Sequence, residues 1–147
     1  MTAPAHPDDW PAVLDLLRGA RLPTADLEPE HAGRFLVARA RGAAVGCVAV
    51  EPYGEAGLLR SLVVAPAWRG RGLGARLLAA AEARAGADGL GALYLLTTTA
   101  APFFEAHGWV PTRRADVPEA VRQSGEFRGV CPSSAACLGK ALGASVS

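Results

Sequence analysis

Apolar residues recur at two spacings along the chain, and these spacings divide it into short strands and helices. Apolar runs bounded by glycine, proline and charged residues predict strands over 34–39, 44–50, 58–64, 92–97 and 135–142, with a short strand within 109–113. Apolar residues three or four positions apart predict helices over 7–18, 73–84 and 100–107, and another after Pro118. Prolines and glycines predict loops over 22–32 and 51–57.

The predicted elements run as a leading helix, three strands, and then alternating helices and strands. A single mixed α/β sheet with helices on both faces accommodates this order. No internal repeat and no long linker divides the 147 residues, so we expect one domain over 1–147.

The composition narrows the range of functions. Fifteen basic residues against 14 acidic residues argue against nucleic acid as the main partner. No uncharged apolar run is long enough to span a membrane, and the N-terminus lacks the pattern of a signal peptide. Three cysteines without a C-x-x-C pair argue against a disulfide framework, so we expect a reducing, cytoplasmic location. The histidines are scattered, so no metal site is expected.

The stretch "VVAPAWRGRGLGARLLAAAEA" (63–83) joins a strand to a helix through closely spaced glycines. It lacks the G-x-x-x-x-G-K-[ST] sequence of a P-loop. Gly70, Gly72 and Ala75 match the dinucleotide pattern G-x-G-x-x-G/A, but that turn should begin directly at the strand end. Arg69, Gly72 and Gly74 match [RQ]-x-x-G-x-G/A, in which backbone N–H groups at a helix N-terminus bind a diphosphate.

This six-residue pattern alone arises by chance in roughly one chain in five of this composition. The pattern becomes a much stronger signal because a strand and a proline precede it and an amphipathic helix follows it. Together, "SLVVAPAWRGRGLGARLL" resembles the central motif of the GNAT superfamily of acyl-CoA N-acyltransferases, and "FFEAHGW" resembles the family's following helix and strand.

The resemblance implies the GNAT fold, a central mixed and mostly antiparallel sheet of six to seven strands. It implies acetyl-CoA as cosubstrate and no metal. The positions that it assigns to coenzyme A are Leu62, Val63, Val64, Arg69, Gly70, Arg71, Gly72, Leu73, Gly74, Phe103 and Phe104.

A narrower resemblance concerns the acceptor. The segments "LLRSLVVAP", "LYLLTTTAAPFFEAHGW" and "EFRGVCPSSAACLGKAL" are similar to the arsenic-resistance N-acetyltransferases, and through them to the acetyltransferase domain of N-acetylglutamate synthases. This implies acetyl transfer, directly in a ternary complex, to the amine of a small amino acid or of an arsenical or phosphinic analogue. A non-catalytic module that binds acyl-CoA or an arsenical is the alternative, and either a monomer or a homodimer is compatible with the sequence.

Candidate catalytic residues flank the central strand. The family's usual proton donor is a tyrosine, and its position is occupied by Phe104, which has no proton to give. Thr97 and Thr99 could donate through a hydroxyl or a bound water, or could simply cap the next helix. Glu51 is the candidate base, with Glu55 as a second choice, and either could equally be a solvated loop carboxylate.

Candidate acceptor contacts are Arg60, Thr98, Arg128 and Ser134. Arg60 has the strand parity of Leu62 and Val64, so we expect it on their face. There it would bind a substrate carboxylate or pair with a buried one. Cys131 and Cys137 could form a soft-ligand site for an arsenical, but we expect Cys137 to lie in the core and Cys131 to pack at a loop.

Overall fold

The computed structural model describes residues 2–130 and 134–142, and it is built on one sheet of seven strands. The strand order is β1-β2-β3-β4-β5-β7-β6. Neighbouring strands are antiparallel except β4 and β5, which are parallel. The strands are β1 (Thr2–Pro4), β2 (Phe35–Ala40), β3 (Ala43–Tyr53), β4 (Ala56–Val64), β5 (Ala92–Thr97), β6 (Val110–Pro111) and β7 (Ala136–Ala141). The mixed, mostly antiparallel sheet expected from the sequence is confirmed.

Helices cover both faces of the sheet. The helices are α1 (Trp10–Gly19), α2 (Leu73–Ala87), α3 (Ala101–Glu105) and α4 (Glu119–Arg122). Side chains of β2 alternate between the faces, so that Phe35 and Val37 pack with α1 while Leu36 and Ala38 pack with α2. Burial on both faces explains why these strands are almost continuously apolar. Within the residues described, no helix has both the length and the apolarity needed to cross a bilayer.

The predicted loop over 51–57 is wrong, because it forms the end of a hairpin between β3 and β4. Pro52 pairs with Gly57, and the turn lies at Gly54, which has a φ of +70°. Gly57 lies inside β4, and the position requires glycine because a Cβ there would lie 2.9 Å from the side chains of both Leu90 and Leu93. The glycine that suggested a break is therefore required by close packing. The three-residue strand β1 was also not predicted.

A β-bulge interrupts β4 in the middle of the sheet. Cys47 pairs with Val63 and Ala49 pairs with Arg60, so β4 carries one residue more than β3 between these pairs. Ser61 takes up the extra length with a φ of +62°. In the part of the chain that is described, β4 and β5 pair only as far as Leu58 and Tyr94, and beyond them the strands diverge. The divergence leaves one edge of β4 open.

The long connection from α1 to β2 is held to the sheet by an ion pair. Arg60 of β4 donates to both carboxylate oxygens of Asp26, at 2.5 and 2.9 Å, and to the carbonyl oxygen of Pro23 at 3.2 Å. A Cβ on Gly125 would lie 2.4 Å from the same carboxylate, so only glycine leaves room for it. The segment around Asp26 is thereby fixed against both β4 and residue 125.

We predict that Asp26→Asn destabilises the protein at neutral pH but not in acid. Burial by itself raises the pKa of Asp26, but hydrogen bonds and charge from Arg60 outweigh it and hold that pKa below its usual value. A carboxyl group of this kind stabilises the fold above its unfolded-state pKa of about 4, and the contribution is lost as the pH falls through the folded-state pKa. We expect a loss of about 1–3 kcal/mol at neutral pH, measured by urea unfolding across the acidic range.

Asp116→Asn is the matched control. The pKa of Asp116 is also lowered, by Arg113, but both side chains of that pair are exposed. We expect no change of stability from this substitution at either pH. Equal stability of Asp26→Asn and the parent protein at neutral pH would contradict the role given to Arg60 in holding the connection.

Candidate active site

The cleft between the diverging ends of β4 and β5 is the main cavity among the described residues, with a volume of about 860 Å³. Its walls are the second half of β4, the end of β5 and the residues after it, and the loop that follows α1. It brings together many of the predicted positions: Arg60, Leu62, Val63, Val64, Arg69, Gly74, Thr97, Thr98, Thr99, Phe103 and Phe104.

The glycine-rich loop at one end of the cleft leads into α2. Gly70 and Gly72 have φ values of +77° and +80°, and a Cβ on either would meet nothing within 4 Å. Backbone conformation, not space, therefore requires these glycines. The N–H groups of Leu73, Gly74 and Ala75 belong to the first turn of α2 and have no partner within the helix. Such a turn presents donors and a positive dipole end to an anion.

The two arginines of this loop are ordered by local contacts. Arg69 Nε donates to the carbonyl oxygen of Val64 at 3.0 Å, which ties the loop to the end of β4. The Arg71 guanidinium lies 4.6 Å from the centre of the Trp68 ring. Both cations thus stay beside the open N-terminus of α2.

Two phenylalanines form an apolar wall of the cleft beside the start of α2. A Cβ on Gly74 would lie 3.6 Å from the ring of Phe103, so this ring rests against the start of α2. Phe104 is buried, with its ring centre 5.2 Å from that of Phe103 and 5.8 Å from that of Trp109. Phe104 occupies the position at which the resemblance to the GNAT superfamily places a tyrosine proton donor. This wall therefore supplies no phenol hydroxyl to protonate the leaving group.

The three consecutive threonines differ in their surroundings. Thr97 Oγ1 accepts a hydrogen bond from the backbone N–H of Ala100 at 3.0 Å, so it caps the turn into α3. Thr98 and Thr99 are exposed at the mouth of the cleft. Thr97 therefore matches the alternative role of a helix cap. Thr99, the other candidate catalytic threonine, is exposed to the cleft.

Arg60 lies at the floor of the cleft and is surrounded by carboxylates. Its side chain is 0% exposed, and besides Asp26 it contacts Glu51 Oε2 through Nη1 at 3.4 Å and Glu126 Oε2 through Nε at 3.1 Å. Burial lowers the pKa of Arg60, but the three carboxylates raise it by more. Of the two roles expected for Arg60, the structure matches pairing with buried carboxylates of the protein. A substrate carboxylate would have to displace these carboxylates.

The predicted orientation of Arg60 is wrong because of the bulge. The parity of an uninterrupted strand would place it with Leu62 and Val64, which pack on the α2 side. In the structure it lies opposite Ala49, which packs on the α1 side. The extra residue at Ser61 turns Arg60 away from the face that alternation predicts.

Glu51 is not the solvated loop carboxylate that the sequence suggested. It lies in β3, its side chain is 5% exposed, and Tyr53 Oη donates to it at 2.7 Å. Arg34 Nη1 lies 3.6 Å from its Oε2. Burial and the neighbouring carboxylate raise the pKa of Tyr53. Glu51 is absent from the cleft wall, which leaves it without direct access to a substrate there.

The remaining predicted contacts lie elsewhere. Arg128 is exposed and borders a separate shallow depression, and Ser134 is exposed and lines neither cavity. Cys131 lies outside the described residues, so its packing at a loop stays a prediction, while Cys137 is partly buried. Burial raises the pKa of the Cys137 thiol by more than Arg114 lowers it. Within 2–130 and 134–142, no group of three His, Cys, Asp or Glu side chains is arranged to hold a metal ion.

Two charged residues of the cleft were not predicted from the sequence. Glu126 reaches it from the start of a short π-helical segment (Glu126–Val130) after α4, and its contact with Arg60 joins positions far apart in the chain. Arg21 reaches it from the end of α1, with an exposed side chain and a φ of +59°. Glu126 begins the segment "EFRGVCPSSAACLGKAL", which carries the narrower resemblance, but no periodicity marks either residue as a contact of the cleft.

Comparison with known proteins identifies the same unit. Residues 31–111 match the family model described as acetyltransferase (GNAT) domain. The amino-acid acetyltransferase of Ralstonia nicotianae is 41% identical over 87 residues, 58% of this chain and 19% of that protein. That of Ectopseudomonas mendocina is 37% identical over 89 residues, 59% of this chain and 21% of that protein. The match thus spans about a fifth of these curated relatives.

Solved structures share the fold over the whole chain. N-acetylglutamate synthase from Neisseria gonorrhoeae, complexed with coenzyme A and N-acetyl-glutamate, superposes with a TM-score of 0.87 over 98% of this chain and 35% of that one, at 23% identity. A Mycobacterium tuberculosis protein in complex with CoA and NLQ superposes with a TM-score of 0.79 over 97% of this chain and 99% of that one, at 21% identity. Since the family model covers more than half of the chain, this protein belongs to the GNAT family of acetyltransferases.

Proposed function

We propose that this protein transfers the acetyl group of acetyl-CoA directly to the amine of a small amino acid, with both substrates bound in one cleft. The observation that carries the proposal is the open edge of β4, which runs from the glycine-rich loop at one end to a cluster of charged side chains at the other. A cosubstrate that is anionic at one end and acylated at the other fits this arrangement.

The coenzyme is assigned to the end of the cleft beside α2. The unpaired N–H groups of the first turn of α2, together with Arg69 and Arg71, suit a diphosphate. The diverging edge of β4 suits the amide groups of pantetheine, which would pair with it as an added strand. Solved relatives complexed with coenzyme A support this assignment.

The acetyl carbonyl is assigned to the backbone of β4 near 62–64. A backbone N–H there would hold the carbonyl oxygen and stabilise the charge that it acquires during attack. Phe103 and Phe104 keep water from the thioester on the opposite side. Because the wall offers no phenol, the thiolate leaves with a proton from the attacking nitrogen, from Thr98 or Thr99, or from water. A thiol with a pKa near 8.5 is a leaving group that needs little assistance.

The acceptor is assigned to the charged end of the cleft. The relatives named amino-acid acetyltransferase support an amino acid. Arg60 is fully paired, whereas Arg21 lines the same cleft and has no ion pair with any described carboxylate. Arg21 therefore suits the acceptor carboxylate better. An arsenical or phosphinic amino-acid analogue, implied by the narrower sequence resemblance, is the finer form of this proposal.

The proposal is tested by thiol release from acetyl-CoA with a panel of acceptors. The panel contains the common amino acids, their amides, and phosphinic and arsenical analogues. We expect release with at least one amino acid and weaker release with the matching amide, since the amide lacks the carboxylate. Tight binding of coenzyme A without release with any amine would instead establish a non-catalytic binding module.

We further predict that Gly72→Ala weakens binding of coenzyme A about tenfold, the equivalent of one lost charge-assisted hydrogen bond. An alanine resists the left-handed backbone of Gly72, which sets the direction of the N–H groups at the start of α2. The measurement is calorimetric titration with coenzyme A.

Gly89→Ala is the matched control, because Gly89 has a φ of +88°, an equally open environment, and lies beyond the opposite end of α2. Both substitutions should lower the unfolding free energy by about 1 kcal/mol. Equal affinities for coenzyme A in the two variants would refute the assignment of the diphosphate to this loop.

A further inference from the structure

The charged side chains that line the cleft are three arginines and one glutamate. They are Arg21, Arg60, Arg69 and Glu126, so Glu126 is the one carboxylate among the described lining residues. Arg69 lies at the coenzyme end, and Arg60 is surrounded by acidic partners. Among the described residues, Glu126 is therefore the carboxylate that a cationic group in the cleft can contact.

Glu126 belongs to a cluster of three carboxylates that share one guanidinium. Asp26, Glu51 and Glu126 all contact Arg60, and Glu51 also lies near Arg34. Exposed fractions are 5% for Glu51 and 4% for Glu126, so water screens the charges of these two side chains poorly. Weak screening strengthens the attraction between Glu126 and an ammonium group bound beside it.

We propose that Glu126 is the residue that binds the ammonium group of the acceptor and removes its proton, and that Arg60 positions Glu126 for this step. The inference rests on the proposed acetyl transfer. It names the acceptor as an amine that enters protonated. Arg60 Nε holds Glu126 Oε2 at 3.1 Å from the floor of the cleft, so the carboxylate is fixed in place before the acceptor binds.

The proton balance of the reaction is complete with these groups. One proton passes from the ammonium nitrogen to the Glu126 carboxylate, and the freed lone pair forms a C–N bond to the acetyl carbon. The C–S bond breaks with its electron pair on sulfur, and the second nitrogen proton goes to the thiolate. Glu126 returns its proton to water. The products are the N-acetyl acceptor, coenzyme A as the thiol, and one proton.

The other two carboxylates of the cluster provide an internal comparison. Asp26 and Glu51 contact the same guanidinium as Glu126 and carry the same charge, but neither lines the cleft. If the cluster only held the fold together, removal of any one of the three charges would have a similar effect on activity. If Glu126 contacts the amine, only its removal should abolish proton transfer.

The experiment compares Glu126→Gln with Glu51→Gln and Asp26→Asn, each corrected for the folded fraction measured by circular dichroism. For each variant, kcat/KM is measured with an acceptor amine that is protonated at the assay pH and with a related amine that is neutral there. Glu126→Gln should lose about 100-fold or more with the protonated amine and less than tenfold with the neutral one. The other two variants should show no such difference between amines. Titration with coenzyme A should give unchanged affinity for Glu126→Gln.

Equal losses with both amines in Glu126→Gln, or equal behaviour of all three variants, would overturn the inference while leaving acetyl transfer intact. Absence of turnover in the parent protein with every amine would instead overturn the proposed function on which it rests. If Glu126→Gln does not fold, Glu126→Asp provides the test. It keeps the charge but shortens the side chain, so kcat should fall while the preference between the two amines stays that of the parent.

Discussion

The bulge in β4 is the constraint on which the rest of the site depends. Just before it, the pairing of β4 with β5 ends at Leu58, and the extra residue at Ser61 turns Arg60 toward the α1 side of the sheet. The end of the pairing opens a strand edge along which an extended molecule can pair. The reorientation of Arg60 places a buried guanidinium at the end of that edge, where it gathers three carboxylates. The bulge thus lies where the open edge that we propose for the coenzyme meets the acidic cluster that we propose for the acceptor.

The two ends of the cleft place different demands on the backbone, which explains where glycines occur around it. The coenzyme end needs exposed backbone donors, and glycines at 70 and 72 provide them through left-handed conformations rather than through lack of space. The charged end needs rigid side chains, and Gly125 provides room for Asp26 by close packing. Glycine therefore has two different roles near the cleft. Phe103 and Phe104 add an apolar wall to the cleft, and Phe103 rests against the start of α2.

Sequence periodicity predicted the strands and helices that local residue spacing determines. It missed the features that depend on how distant segments pair and pack. The strand Ala92–Thr97 and the start of α2 at Leu73 were predicted at their observed positions, because apolar spacing and the glycine-rich turn are local signals. The extension of β3 and β4 through Tyr53 and Ala56 was missed, since Gly57 is dictated by Leu90 and Leu93 from elsewhere in the chain. The motif likewise indicated the coenzyme end. The acceptor end is assembled from loops joined through Arg60, for which no local pattern exists.

Arg60 shows why residue type alone is a poor guide to function at such a site. An arginine in an apolar strand suggests an anion-binding residue, and its partners decide whether the anion is a ligand or the protein itself. Here three carboxylates surround it, so the cluster presents an acidic side chain, Glu126, to the cleft although its central residue is cationic. A buried arginine saturated in this way selects against the carboxylate that it would otherwise attract. In the proposed reaction, the acceptor therefore binds with its amine toward Glu126 and its negative group toward Arg21, because these are the side chains of opposite charge that line the cleft.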